Sequence, residues 1–293
     1  MLEQDFSGPQ RRTYFSARRG QNAAVARFDL EQLRRLVSST FTAPEEEGFF
    51  QQAFGYSCVD AGEVPGEVGS DVNAYILRRL RKDQMWPLVT RIAEYSEEDV
   101  FDMIELLHDH ASKPLEGRHH DYASCGWHYS SFDRAAGREA FRAEINDFLT
   151  SYDAGYELSD EGEVVHLADP GLQPLLEAKL PVADSKSRTN VEGRVAGAIR
   201  KFRRHGASVD DRRDAVRSLA DVLEYLRPQV KRVLTSKDEG DLFNIANNFG
   251  IRHHNDAQKT QYEQDVWLSW MFYFYLATIH VVMRRVAAGH PRG

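Results

Sequence analysis

The chain is short of cysteine: Cys58 and Cys125 are the two present in 293 residues. That is too few for a disulfide framework, so a reducing, cytoplasmic compartment is the expectation. Net basic charge is also missing. Against 45 acidic side chains stand 37 basic ones, a balance of −8, which excludes nucleic-acid binding by bulk charge and leaves room only for a local basic face. The N-terminus, MLEQDFSGPQRRTYFSARRG, contains no apolar run of the kind a secretory signal needs and reads as a frayed basic arm. No glycine loop ending in GK[ST], no GxGxxG and no GxSxG occurs, so nucleotide-hydrolysing and α/β-hydrolase chemistry have no support. No fixed-period repeat is visible.

What is present is ordinary core-forming material: 42% hydrophobic and 28% charged residues. At about 150 residues per domain the length suggests about two domains. One apolar run, VWLSWMFYFYLATIHVVM from Val266 to Met283, approaches the ~18–20 residues that span a bilayer. Ser269, Thr278 and His280 interrupt it, and its aromatics sit in the middle rather than in two belts. It reads as the central buried helix of a bundle, with no membrane expected.

The predicted fold is mostly α, in three zones. Residues 1–111 form an N-terminal helical module behind the basic arm. Leu30, Leu33, Leu36 and Val37 repeat at helical spacing, and Ser96 caps VFDMIELLHDHA. The intervening GYSCVDAGEVPGEVGSD reads as loop. Residues 112–188 form a small α+β segment and linker: a helix from Arg138 to Tyr152, then a β-hairpin around Ser159-Asp160-Glu161-Gly162. Residues 189–293 form an antiparallel helical bundle with Ser208 as an N-cap and Pro228 late in the second helix, where it should kink that helix or start a new turn.

Polar and cationic groups crowd between the last two predicted helices, in Asn244-Ile-Ala-Asn247-Asn248-Phe-Gly250-Ile-Arg252-His253-His254-Asn255-Asp256. Gly250 can turn the backbone and present Arg252 with the histidines. Histidine titrates near neutrality and can pass a proton at a phosphodiester, while arginine can hold the charge that builds on phosphorus. The same spacing also suits a helix C-cap whose cations complement the helix dipole and whose Asn side chains tie the loop.

A resemblance adds to this reading. The third zone resembles the HEPN superfamily, specifically the C-terminal domain of bacterial abortive-infection proteins, in which the loop between the last two long helices carries a pattern like Leu-Arg-Asn-x-Tyr-Gly-x-Gly-His-Gly. Asn247, Phe249, Gly250 and His253 match it. The segment FRAEINDFLTSYDAGYELSDEGEVV is similar to what often precedes such domains, and FDMIELLHDH, more loosely, to their N-terminal modules. The resemblance implies a homodimeric, cofactor- and metal-independent endoribonuclease in antiphage defence, a toxin acting on RNA, with tRNA a candidate substrate. The RNA 2′-hydroxyl would attack the adjacent phosphate and leave a cyclic phosphate. Carried over, His253 is the acid/base with His254 as its substitute, Arg252 the phosphorane stabiliser, and Asn247, Asn248 and Asn255 binding groups. The chain departs from the pattern at Ala246, where the family places its arginine. Either Arg252 supplies that charge from another backbone position, or the fold persists as a non-catalytic module that binds RNA, nucleotide or protein.

Two further clusters bear on function. Arg200, Lys201, Arg203 and Arg204 fall in one helical segment and offer a face to phosphates, though charge runs are usually solvated faces. His119, Cys125 and His128 have a spacing compatible with zinc, but structural zinc sites favour paired cysteines and Cys58 is remote in sequence. A polar loop packed by Trp127 is therefore the expectation, with no metal, and Cys58 shows no paired base for a catalytic thiol.

Overall fold

The computed structural model describes residues 27–181, 188–248 and 263–288, and it is mostly helical with three two-stranded sheets among those residues. The chain divides into two compact units, Met1–Tyr156 and Glu157–Gly293. The expected middle zone is thus split between them. Its first half packs into the N-terminal unit, because the apolar stripe of its helix has partners there.

In the first unit, α1 (Leu30–Glu46) starts at an Asp29–Gln32 capping box and α5 (Glu97–His110) at a Ser96–Asp99 capping box. These two helices pack against each other and against α6 (Arg134–Leu149). Leu33, Val37 and Phe41 of α1, Met103, Ile104 and Leu107 of α5, and Phe141 and Ile145 of α6 are buried at the spacing that sets one face of a helix inward. Gly137 lets α6 close on the strand that follows α5. A Cβ there would stand 2.3 Å from the Cα of Ser112, which is itself fully buried. The remaining helices of the unit are short: α2 (Gln51–Phe54), α3 (Val72–Leu80) and α4 (Leu88–Arg91).

Two segments read from sequence as loop are strands instead. The glycine-rich stretch holds a hairpin of β1 (Tyr56–Cys58) and β2 (Gly62–Val64). The His/Cys segment is a two-stranded antiparallel ribbon, β3 (Lys113–His120) with β4 (Gly126–Asp133). Neither pattern was visible as alternation, because no residue of β3 or β4 is buried. Without a core-facing side a strand carries no period-two hydrophobic signal.

The second unit begins at the hairpin β5 (Tyr156–Leu158) and β6 (Val164–His166), as the sequence suggests. A short α7 (Gln173–Glu177) follows, then a bundle of α8 (Gly193–Arg203), α9 (Val209–Tyr225), α10 (Arg227–Val233), α11 (Ser236–Asn248) and α12 (Gln264–Ala287). Ser208 caps α9 through a box with Asp211, and Pro228 lies in the first turn of α10. Helix α12 is long and apolar enough to cross a membrane by composition. It packs instead against α9 and α10, with Leu268, Met271, Phe272, Leu276, Ile279 and Val282 fully buried. Its ring at Phe272 stacks on Phe202 of α8, centroids 4.0 Å apart.

His280 is buried in this core, and its Nδ1 has no hydrogen-bond partner among the described residues. Burial, then the nearby Arg284, lower its pKa below the usual imidazole value. The unfolded chain therefore takes up a proton, near the ordinary pKa of about 6.5, that the folded unit refuses. Stability is expected to fall as pH drops below about 6.5, and His280→Phe should remove one proton from the uptake on unfolding, read from denaturant melts at several pH values. Leu276→Ala is expected to cost about 2–5 kcal/mol, whereas Val281→Ser on the exposed side of the same helix should stay within about 0.5 kcal/mol in the same melts.

Candidate functional site

Side chains with donor chemistry converge at one end of the β3–β4 ribbon. His128 pairs with Arg118 across the ribbon, and His119 pairs with Trp127. Alternation then puts His120 on the face of Arg118 and His128, and His119 on the opposite face with Trp127. The ring contacts agree: His120 and His128 meet edge to face at 5.5 Å, and His119 packs on Trp127 at 5.3 Å. Cys125 sits in the turn between the strands, flanked by Ala123, Ser124 and Gly126 at φ of 52°, 57° and 95°. Non-glycine residues in the left-handed region are uncommon, and such a turn is held only where its surroundings insist on it.

Cys58, at the end of β1, completes the group. The ligand-capable atoms of Cys58, His120, Cys125 and His128 all lie within 4.8 Å of one another. Cys58 Sγ is 3.8 Å from His120 Nδ1, and Cys125 Sγ is 3.2 Å from His128 Nε2. The other nitrogen of His120, Nε2, is 3.2 Å from Asp60 Oδ2. His128 stacks on Tyr56, centroids 4.3 Å apart. Backbone N–H groups of Ala61 and then Asp60 donate to the Cys58 sulfur and hold its thiol below the ordinary range. The two cysteines are not bonded to each other. Beside the group, the Gln51 side chain clamps β4, its Nε2 donating to the Trp127 carbonyl at 2.8 Å and its Oε1 accepting from Tyr129 N–H at 3.1 Å.

This arrangement differs from the sequence expectation in two ways. The segment is a ribbon with an ordered His/Cys group, not a polar loop, and Trp127 is half exposed rather than packed inside. The histidine that β3 contributes to the group is His120; His119 binds Asp121 at 2.6 Å and stays outside. Sequence reasoning missed Cys58 and His120. A Cys-Val-Asp-Ala-Gly turn at residues 58–62 and a His-x4-Cys-x2-His run were the available signals, but nothing local joins them.

In the second unit, the residues expected to act on RNA are distributed differently. Asn247 and Asn248 form the end of α11; Arg252, His253, His254 and Asn255 lie outside the described residues. The basic run of α8 is largely committed to internal partners. Arg203 is buried, pairs with Glu157 at 2.5 Å and donates to the His166 carbonyl at 2.8 Å. Lys201 pairs with Asp214 and Arg204 with Asp211, each at 3.2 Å. Arg200 is exposed. The face the sequence offers to phosphates is thereby reduced, because an arginine held by a carboxylate presents little net charge.

A groove of about 770 Å³ runs along α8 and α12, between His166, Asp169, Phe202, Arg212, Trp270 and Tyr273. Arg212 bonds Asp265 at 3.6 Å and lies over the Phe202 ring at 5.7 Å. Ser269 Oγ donates to Asp169, and Asp169 N–H donates to the Tyr273 hydroxyl at 3.2 Å. The groove is an apolar slot edged by paired charges, a shape for a flat ring more than for a phosphate. Of the aromatics of α12, Tyr273 and Tyr275 are buried, while Trp270 is exposed and stacks on Phe274 at 5.4 Å.

No protein-family model matches the chain, and comparisons with curated proteins and with solved structures find no match.

The split of the basic run is testable. Arg203→Ala removes the buried partner of a half-buried ion pair and leaves Glu157 only the Gln173 amide at 3.2 Å, so a loss of about 1–3 kcal/mol is expected. Arg200→Ala should change stability by less than about 0.5 kcal/mol, both measured by denaturant unfolding.

Proposed function

We propose that the chain is a HEPN-type endoribonuclease of bacterial antiphage defence, acting in the cytoplasm as a homodimer. The observation that carries this reading is the position of the Asn247–Asn255 stretch. It runs from the last two residues of α11 toward α12 along the sequence, these being the last two long helices of a helical bundle, and there the resemblance expects its Asn-x-aromatic-Gly-x-x-His signature.

The chemistry follows from the residue types. An imidazole near neutrality takes the proton of the RNA 2′-hydroxyl as that oxygen attacks the neighbouring phosphorus, and returns a proton to the departing 5′-oxygen. His253 fills this role, with His254 beside it. Arg252 is the group whose guanidinium would offset the phosphorane's charge through two parallel hydrogen bonds. The atoms of the RNA supply both nucleophile and leaving group, so the step needs no added metal. The groove at the first turn of α12 lends further support: its apolar slot suits a base, and its paired arginines leave phosphate binding to the loop's own cations. For the dimer, Trp267 and Trp270 are exposed apolar groups near the start of α12.

A second reading, a non-catalytic bundle that binds RNA, nucleotide or protein, is favoured by Ala246 at the family's arginine position.

Total tRNA incubated with the purified chain, without added divalent metal, separates the two. Fragments ending in 2′,3′-cyclic phosphate are expected, with cleavage lowered about 10²–10⁴-fold in His253→Ala and similarly in Arg252→Ala. Folded protein that leaves tRNA intact, or His253→Ala that cleaves like the parent, would overturn the enzyme reading; retained tRNA binding would then support the second.

A further inference from the structure

We propose that Cys58, His120, Cys125 and His128 hold one zinc ion in the first unit, as a closed structural site that joins the β1–β2 hairpin to the β3–β4 ribbon. Two thiols and two imidazoles are the donor set of structural zinc. Bond lengths of about 2.3 Å to sulfur and about 2.0–2.1 Å to nitrogen give a tetrahedron with edges of roughly 3.3–3.8 Å. The Cys58–His120 and Cys125–His128 separations of 3.8 and 3.2 Å lie close to those edges, and every other pair in the group is within 4.8 Å.

The surroundings are those of a metal site rather than of a casual polar cluster. His120 would bind through Nδ1, since its Nε2 is turned to Asp60 at 3.2 Å. A carboxylate on the far nitrogen fixes the imidazole's tautomer and orientation and makes it a better ligand. His128 would bind through Nε2, its ring held by the Tyr56 stack. The tight turn after Cys58 aims the backbone N–H groups of Ala61 and Asp60 at its sulfur, which fixes the position of that donor. With all four positions filled by protein, no open place remains for water or substrate, so the role is architectural.

The energetic need is visible too. The ribbon buries none of its residues fully, and a two-stranded hairpin on its own is marginal in water. Its ladder hydrogen bonds and the Gln51 clamp tether β4, but at the turn the His/Cys group is what ties ribbon to hairpin. A bound metal supplies there the free energy that burial does not.

The test uses the full chain without a histidine tag, purified under reducing conditions. Metal analysis is expected to give one zinc per chain. Replacement by Co²⁺ is expected to give the strong visible bands of a tetrahedral site with thiolate charge transfer. Cys58→Ser and Cys125→Ser should lose both, His119→Ala should keep both, and Asp60→Asn should weaken zinc binding about 10–100-fold in chelator competition. Protein free of metal that develops no cobalt–thiolate spectrum, a Cys58–Cys125 disulfide in its place, or undiminished zinc in Cys58→Ser would each overturn the site. Should the cysteine variants fail to fold, zinc content and the cobalt spectrum of the parent and of His119→Ala still decide. None of these readouts involves RNA cleavage, so the outcome is independent of the activity proposed for the second unit.

Discussion

A helix that is apolar on most of its circumference must be enclosed, and the second unit is arranged to enclose α12. Each neighbouring helix turns its own stripe inward: Leu219 and Leu223 from α9, Val230 from α10, Leu242 from α11 and Phe202 from α8 join one cluster around it. Transfer of such side chains out of water is the dominant favourable term in folding. The hairpin β5–β6 is drawn in by the same helix set, because Arg203 at the end of α8 reaches the His166 carbonyl and Glu157. An arginine placed by that core becomes a structural group, and this is why the basic segment of α8 cannot be read as a free phosphate-binding face.

The first unit combines two solutions to the same problem. Its helices α1, α5 and α6 bury their stripes in the usual way. Its ribbon buries no side chain fully, so polar contacts carry much of its attachment: ladder hydrogen bonds, the Gln51 amide acting as a side-chain partner to β4, and the convergent thiols and imidazoles. Positive φ at Ala123 and Ser124 belongs to this picture. The strain of that turn is tolerated because it delivers Cys125 to the face that already carries His120 and His128. A nearby polar cleft of about 400 Å³, where the Tyr75 hydroxyl meets His110 Nε2 at 2.8 Å, shows the same tendency of this unit to spend imidazoles on internal contacts.

Zinc at the ribbon would draw on the proximity of four donor atoms and on the carboxylate and amides that orient them. Ribonuclease chemistry would draw on the residue types of the stretch after α11, with the bundle as its setting. One concerns what holds a segment in place; the other concerns what a segment does. Neither borrows a residue from the other.

Much of the helical framework was legible in the chain because helices are written locally. Ser96 and Ser208 as caps, Pro228 in a first turn, and the apolar repeats of α1, α5 and α9 each depend on residues within a few positions of one another. The hairpin around Gly162 was legible for the same reason. The ribbon β3–β4 was not, since its strands bury no side chain and so lack alternation. The His/Cys group was half legible: His128 and Cys125 stand close in sequence, but choosing His120 over His119 needed the strand register, and Cys58 needed the fold to cross 62 residues. Which cations of α8 are spent was equally hidden, because Glu157 lies 46 residues from Arg203. Local patterning thus determined the helices and their inward faces by itself. Tertiary structure decided which donors meet and which charges are cancelled, because those depend on distances between atoms that the chain order does not contain.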